Sequence, residues 1–124
     1  MRKKILVVDD EMSITSFLKF YLEETGKYEV KAENSGERGY ENAKTFRPDL
    51  ILLDIMMQDM SGDGLADKIK NDPLLHKTPI IFLTGIVTKD EVKANGGVIG
   101  GYPYIAKPIL SLNELTDCID AHLK

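Results

Sequence analysis

Three carboxylates, a hydroxyl and an ammonium close short apolar runs in this chain, and their types suit one kind of chemistry. Asp9 and Asp10, with Glu11 beside them, follow Ile5 to Val8; Asp54 ends "LILLD"; Thr84 ends "IIFLT"; Lys107 ends "YIAK". Two carboxylates about 4 Å apart repel by roughly 4 kcal/mol at an effective dielectric near 20. A third makes matters worse unless a proton or a cation neutralises the group. An all-oxygen site with one or two direct carboxylates suits Mg²⁺, which keeps some waters and takes a phosphate oxygen readily. A cation then admits a phosphoryl group to an acidic pocket. Lys107 supplies a point charge for phosphoryl oxygen, the Thr84 hydroxyl donates a hydrogen bond, and Gly85 leaves room beside it. Asp54 is the candidate nucleophile, since carboxylates form acyl phosphates.

Such a site requires elements that bring these residues to one place. The chain alternates apolar runs with helical periodicity. Ile5 to Val8 reads as a first strand, and Ile14, Phe17, Leu18, Tyr21 and Leu22 mark the inner face of a helix over 12–24, ended by Gly26. "YEVKAE" reads as a second strand. Asn34 with Glu37 has capping-box spacing and opens a helix to about Phe46, broken by Pro48. "DLILLDIMM" is nearly continuous apolar, as in a strand covered on both faces. Gly62 and Gly64 form a turn into a third helix with Leu65 and Ile69 inward. "TPIIFLTG" is a fourth strand, Thr88 with Glu91 caps a fourth helix, "YPYIAK" is a fifth strand, and Ser111 with Glu114 caps a last helix carrying Leu112, Leu115 and Ile119.

Five strands alternating with five helices predict an α/β, doubly wound parallel sheet. Pro103 cannot donate to a central ladder, so the fifth strand is expected at an edge. That fits the flavodoxin-like strand order 2-1-3-4-5, whose ligand sites form at the carboxyl ends of the strands near the switch point. All five residues named above lie at those ends.

Composition bounds the rest. A chain of 124 residues suits one domain, read here as 1–124. The single cysteine, Cys118, allows no internal disulfide and fits a cytoplasmic setting. The basic start is followed by too short an apolar run for a signal peptide, and no stretch approaches a membrane span. A net charge of −4 argues against direct nucleic-acid binding. His76 and His122 share no metal-ligand spacing and read as surface residues.

The ordered set "VVDDE", "LILLDIMM" with Gly62 eight residues after Asp54, "IIFLTG" and "YIAKP" resembles the receiver domain of two-component response regulators along the whole chain. That resemblance implies that Asp54 accepts phosphate from a phosphohistidine on a sensor histidine kinase or histidine phosphotransfer protein. It implies Mg²⁺ held by Asp9, Asp10, Asp54 and the backbone carbonyl of Met56, with Thr84 and Lys107 gripping the phosphoryl group. Tyr104 would be the switch aromatic that turns inward when Thr84 moves, and the Lys107–Pro108 peptide would be cis. The product is a signalling switch acting on an output protein that the sequence does not name, as a monomer or a phosphorylation-dependent dimer, rather than a turnover enzyme.

Taken singly, each residue has a plainer reading: an exposed acidic turn, a β-branched strand residue, a surface lysine, an aromatic packed in a strand. These readings require five coincidences at one end of one sheet. Other functions on the same fold are an aspartyl-nucleophile, Mg²⁺-dependent phosphohydrolase, an interaction module indifferent to phosphate, and a flavin carrier. The adjacent acids where a hydrolase of that kind has Asp-x-Asp, and an acidic first loop where a phosphate cradle offers donors, argue against the first and last.

Two departures from the family carry expectations. Gln58 stands where proline is common, predicting a less rigid loop after Asp54. "NGGVIGGYP" is glycine-rich, predicting a short fourth helix with a mobile end that orders on phosphorylation or partner binding. Met56 and Ile86, two residues after Asp54 and Thr84, stand at positions that the resemblance places beside the path of the attacking water; both are apolar and cannot orient it, so self-dephosphorylation is expected to be slow.

Overall fold

The structure, a computed structural model, describes residues 2–85, 98–99, 101–107, 109 and 111–123. Its elements run β1 (Lys3–Val8), α1 (Met12–Glu24), β2 (Tyr28–Glu33), α2 (Gly36–Phe46), β3 (Leu50–Asp54), α3 (Gly62–Lys70), β4 (Ile80–Thr84), β5 (Val98–Ile99), β6 (Tyr102–Ala106) and α4 (Leu112–His122). The sheet order is β2-β1-β3-β4-β6-β5. The pairs β1·β2, β1·β3, β3·β4 and β4·β6 are all parallel. These five strands have the predicted doubly wound order.

Alternation along the central strands sends side chains to two cores. Ile5, Val7, Leu50, Leu52, Ile81 and Leu83 meet Leu18 and Leu22 of α1 and Leu115 and Ile119 of α4. Leu6, Val8, Ile51, Leu53 and Phe82 meet Ala43 of α2 and Leu65 and Ile69 of α3. Every residue of β3 is buried, as a strand covered on both faces must be. Each such leucine contributes about 1.5–3 kcal/mol by leaving water. Truncating Leu52 to alanine in the middle of β3 costs about 2–5 kcal/mol.

Several local expectations change. Four helices stand among the described residues where five were expected; the predicted helix capped by Thr88 lies outside the described residues. The sheet gains a sixth strand, because Val98 and Ile99 pair antiparallel with Pro103 and Tyr102. Part of the glycine-rich stretch is therefore a tight hairpin, with Gly101 at φ 87° in its turn, a conformation glycine adopts without strain. The fifth parallel strand, β6, is accordingly lined on its outer side over Tyr102 and Pro103 rather than open along its whole length.

The cap of α2 is Ser35, whose side chain accepts from Arg38 N, not Asn34. The Asn34 amide is engaged elsewhere, donating to Asp9 O at 2.8 Å and Thr15 Oγ1 at 2.9 Å. Gly62 and Gly64 lie inside the first turn of α3, capped by Ser61, rather than in a turn before it. Phe17 is 49% exposed, at the outer boundary of the apolar stripe of α1, and stacks on Tyr21. His122 is half-buried, with Nδ1 2.8 Å from Cys118 O, whereas His76 is exposed. The Ser111 cap on α4 is as predicted. No helix among the described residues is long and apolar enough to cross a membrane.

Candidate functional site

Strand register brings the expected residues together. Val8 is level with Leu53, Asp54 with Leu83, and Thr84 with Ala106. Asp9 therefore emerges from β1 beside the end of β3. Lys107 N donates to Thr84 O at 2.7 Å, which fixes where the lysine leaves β6. One oxygen each of Asp9, Asp10 and Asp54 lies within 4.8 Å of the others. Lys107 Nζ sits 2.7 Å from Asp9 Oδ2, 3.2 Å from Asp54 Oδ1 and 3.7 Å from Glu11 Oε1.

Burial sharpens the electrostatics. Asp9 is fully buried, Asp54 5% exposed and Thr84 1% exposed. Burial, then the neighbouring Asp9 charge, pushes the Asp54 carboxyl above its usual range, against the pull of Lys107. For Lys107, burial works downward, but pairing with Asp9 and then Asp54 outweighs it and leaves the ammonium above its ordinary value. One lysine thus stands against two buried carboxylates at once.

Asp9 bears most directly on whether the acid set suits a cation. Asp9 Oδ1 accepts from Glu11 N at 3.0 Å. Asp9 Oδ2 is buried with the Lys107 ammonium 2.7 Å away, and a carboxylate oxygen that meets one ammonium keeps a second lone pair to offer. Three hard oxygen donors with such an oxygen among them fit a small divalent cation.

Beside the acids lies a cavity of about 280 Å³ lined by Glu11, Asp54, Ile55, Met56, Thr84, Gly85 and Lys107. Of the three aspartates only Asp54 lines it, with the Thr84 and Lys107 polar groups around the same space. Gly62 fits this end of the sheet for a physical reason. A Cβ there would run into Asp54 O and Ile55 Cα, and the Gly62 N–H donates to Ile55 O at 2.6 Å. Only a residue without a side chain lets α3 start against the backbone that carries Asp54.

Tyr104 lies farther back on β6, half-buried, its ring 5.2 Å from that of Phe82. Register pairs Phe82 with Tyr104 and Thr84 with Ala106, so Thr84 and Tyr104 share one face of the sheet. Met56 is 64% exposed at the rim. Ile86 and Pro108 lie outside the described residues. Sequence reasoning missed Glu11 as a cavity residue, although it stands in the acidic triplet, and Asn34, whose amide steadies the Asp9 carbonyl.

The sequence profile of the response regulator receiver domain matches residues 5–120. The chain belongs to that family. Among curated relatives, this receiver domain is 40% identical to the alkaline phosphatase synthesis transcriptional regulatory protein PhoP of Bacillus subtilis, over 87% of this chain and 43% of that protein. It is 38% identical to the phosphate regulon transcriptional regulatory protein PhoB of Pseudomonas aeruginosa, over 98% of this chain and 52% of that protein. The chain thus spans about half the length of these relatives. The structure of Vibrio cholerae chemotaxis protein CheY4 matches with a TM-score of 0.83 at 27% identity, covering 99% of this receiver domain and all of that chain. Receiver domains are the phosphoacceptor modules of two-component response regulators, and the acidic cluster at the carboxyl end of this sheet is consistent with that role.

Proposed function

We propose that Asp54 is the phosphoacceptor of a Mg²⁺-dependent switch charged by a histidine kinase or histidine phosphotransfer protein. The observation that carries this reading is that Asp54 alone among the three aspartates lines the cavity, while Lys107 Nζ stands 3.2 Å from its Oδ1. In the transfer, an Asp54 oxygen forms a bond to phosphorus as the bond from phosphorus to the donor imidazole nitrogen breaks. The imidazole takes up a proton as it leaves.

The residues of the chain divide the work. Asp9, Asp10, Asp54 and the Met56 carbonyl would hold the cation, which supplies positive charge for the phosphoryl oxygens and the carboxylates around them. Lys107 neutralises charge on the acyl phosphate as a point charge. The Thr84 hydroxyl donates to a phosphoryl oxygen, and Gly85 leaves the approach open. Tyr104, on the same face as Thr84, is the residue whose packing follows the Thr84 position, which is how a local bond biases a two-state surface.

The donor docks across α1 in this reading. An apolar groove beside the site is lined by Ser13, Ile14, Phe17, Leu18, Lys107 and Ile109. Phe17 and Phe20 are 49% and 67% exposed on the same helix. Incubation with acetyl phosphate and Mg²⁺, followed by intact mass, tests the central claim. One added phosphoryl group is expected in the parent and none in Asp54→Asn; an equal gain in both would overturn it.

A further inference from the structure

The loop from Ile55 to Ser61 joins β3 to α3 and carries the Met56 carbonyl. Two contacts made by consecutive residues hold it. The Gln58 N–H donates to Asp10 Oδ2 at 3.2 Å. The next residue, Asp59, reaches the amino end of α2, where its Oδ1 accepts from Gly36 N and its Oδ2 from Glu37 N, each at 3.0 Å. Those are two of the N–H groups a helix leaves without internal partners. The Ser35 side chain takes the next, from Arg38. The Gly36 N–H and then the Glu37 N–H hold the Asp59 carboxyl below the usual range. Met60 continues the contact: a side chain at Gly36 would strike Met60 Cγ and Sδ, so the loop lies directly on the first residue of α2.

We propose that Asp59 is a positioning residue for the cation site: by gripping the amino end of α2 it holds the loop where the Gln58 N–H meets Asp10, setting the Asp10 carboxylate and the Met56 carbonyl in place before a cation arrives. The proposal rests on the reading of Asp9, Asp10, Asp54 and Met56 as the cation's ligands. Its physical content is pre-organisation. Asp10 has a carboxylate that rotates and Met56 sits on a loop, so both ligands lose freedom when a cation binds. Contacts made beforehand remove that cost. Groups that orient a ligand from behind change metal affinity by roughly 10–100-fold when lost. Asp59 acts one bond further back, through the Gln58 amide, so its effect belongs near the lower end.

The test uses the full chain and two readouts: Mg²⁺ affinity by titration calorimetry, and exchange of the Gln58 amide in the metal-free protein. Asp59→Ala is expected to bind Mg²⁺ about tenfold more weakly and to exchange the Gln58 amide faster. Asp59→Asn, which keeps one accepting oxygen, falls between. Gln58→Pro, which has no N–H, weakens Mg²⁺ binding as Asp59→Ala does, whereas Gln58→Ala, which keeps the N–H, binds like the parent. A role confined to capping α2 would lower the melting temperature of Asp59→Ala while leaving the Mg²⁺ affinity and the Gln58 amide unchanged. That result overturns the proposal, as does equal binding by Gln58→Pro and Gln58→Ala. A parent chain that takes no Mg²⁺ removes the cation reading and this proposal with it; a parent that binds alongside an equally competent Asp59→Ala removes this proposal alone.

Discussion

The Lys107 ammonium lies 2.7 Å from Asp9 Oδ2 and so ties the end of β6 to the end of β1 across the two strands between them. The lysine side chain is 13% exposed and the aspartate side chain fully buried. Removing one partner of a buried pair strands the other charge, at about 3–5 kcal/mol. The lysine keeps some solvent, so about 3 kcal/mol is the expectation for Lys107→Met. In a domain of this size that lowers the melting temperature by roughly 10 °C. Mg²⁺ should restore part of the loss in Lys107→Met, because a cation answers the same stranded carboxylates. Thermal denaturation with and without Mg²⁺ checks both halves.

Asp54→Asn should stabilise the metal-free domain while abolishing phosphoryl uptake. Burial, then the Asp9 charge, raises the Asp54 carboxyl in the folded state. A raised carboxyl makes ionisation costlier when folded than when unfolded, so the penalty is present above the folded pKa and vanishes below the unfolded value of about 3.9. The gain in melting temperature, about 3–5 °C for 1 kcal/mol, should be full at neutral pH and absent in acid near pH 3.5. A gain independent of pH would point to packing instead of charge.

Tyr28 and Asp120 predict a pH signature away from the site. The Tyr28 hydroxyl donates to Asp120 Oδ1, and Lys27 Nζ lies 2.7 Å from Asp120 Oδ2. Burial, and then the bond to Asp120, push the Tyr28 phenol up to about 12. Its contribution to stability is complete below the unfolded value near 10 and is lost as pH rises towards 12. The bonds from Lys27 and then Tyr28 lower Asp120, so that contribution is present above about pH 4 and disappears in acid as pH falls through the folded value. Tyr28→Phe should flatten the alkaline limb of a denaturation profile. An unchanged limb would mean the phenol is free to ionise.

Two glycine substitutions should differ in kind. Gly62→Ala sets a methyl against the Asp54 carbonyl and the Ile55 Cα, which are backbone and cannot yield cheaply. Overpacking of that sort costs about 1–3 kcal/mol, and the shift it forces should weaken Mg²⁺ binding. Gly36→Ala runs into Met60 Cγ and Sδ, part of a flexible side chain, and otherwise makes ordinary contact with Asp59 Oδ1. Its cost should be smaller by denaturation, with the larger effect seen at the loop.

Met56→Asn combined with Ile86→Glu should shorten the life of the acyl phosphate. Met56 lines the cavity with Asp54 and is largely exposed. Its thioether cannot hold an attacking water, whereas an amide and a carboxylate can. A positioned polar group of this kind contributes about tenfold or more, which loss of phosphate followed by intact mass will read.

What the sequence made legible was the geometry set by period and order. Alternating apolar runs located the five parallel strands, and Pro103 at the start of the fifth pointed to the flavodoxin-like order, so Asp9, Asp54, Thr84 and Lys107 came to one end of the sheet. Failures came where neighbours in space decided. Asn34 and Ser35 both have the chemistry of a cap, and only the Asn34 contacts to Asp9 and Thr15 show why Ser35 takes the role. Phe17 fits the helical stripe by count, but sits at the boundary where the sheet no longer covers it. Gln58 stood out only as a missing proline and Asp59 not at all, because their partners Asp10, Gly36 and Glu37 are more than twenty residues away.

The Val98–Ile99 strand has a consequence for behaviour in concentrated solution. A sheet that ends in a long flat ribbon offers unpaired amides and carbonyls on which other chains can template. Here that side ends in a two-residue ribbon folded back upon Pro103 and Tyr102. The opposite margin is β2, whose "YEVKAE" places Glu29, Lys31 and Glu33 among its residues. Short length on one flank and charge on the other both discourage amyloid-like stacking between molecules.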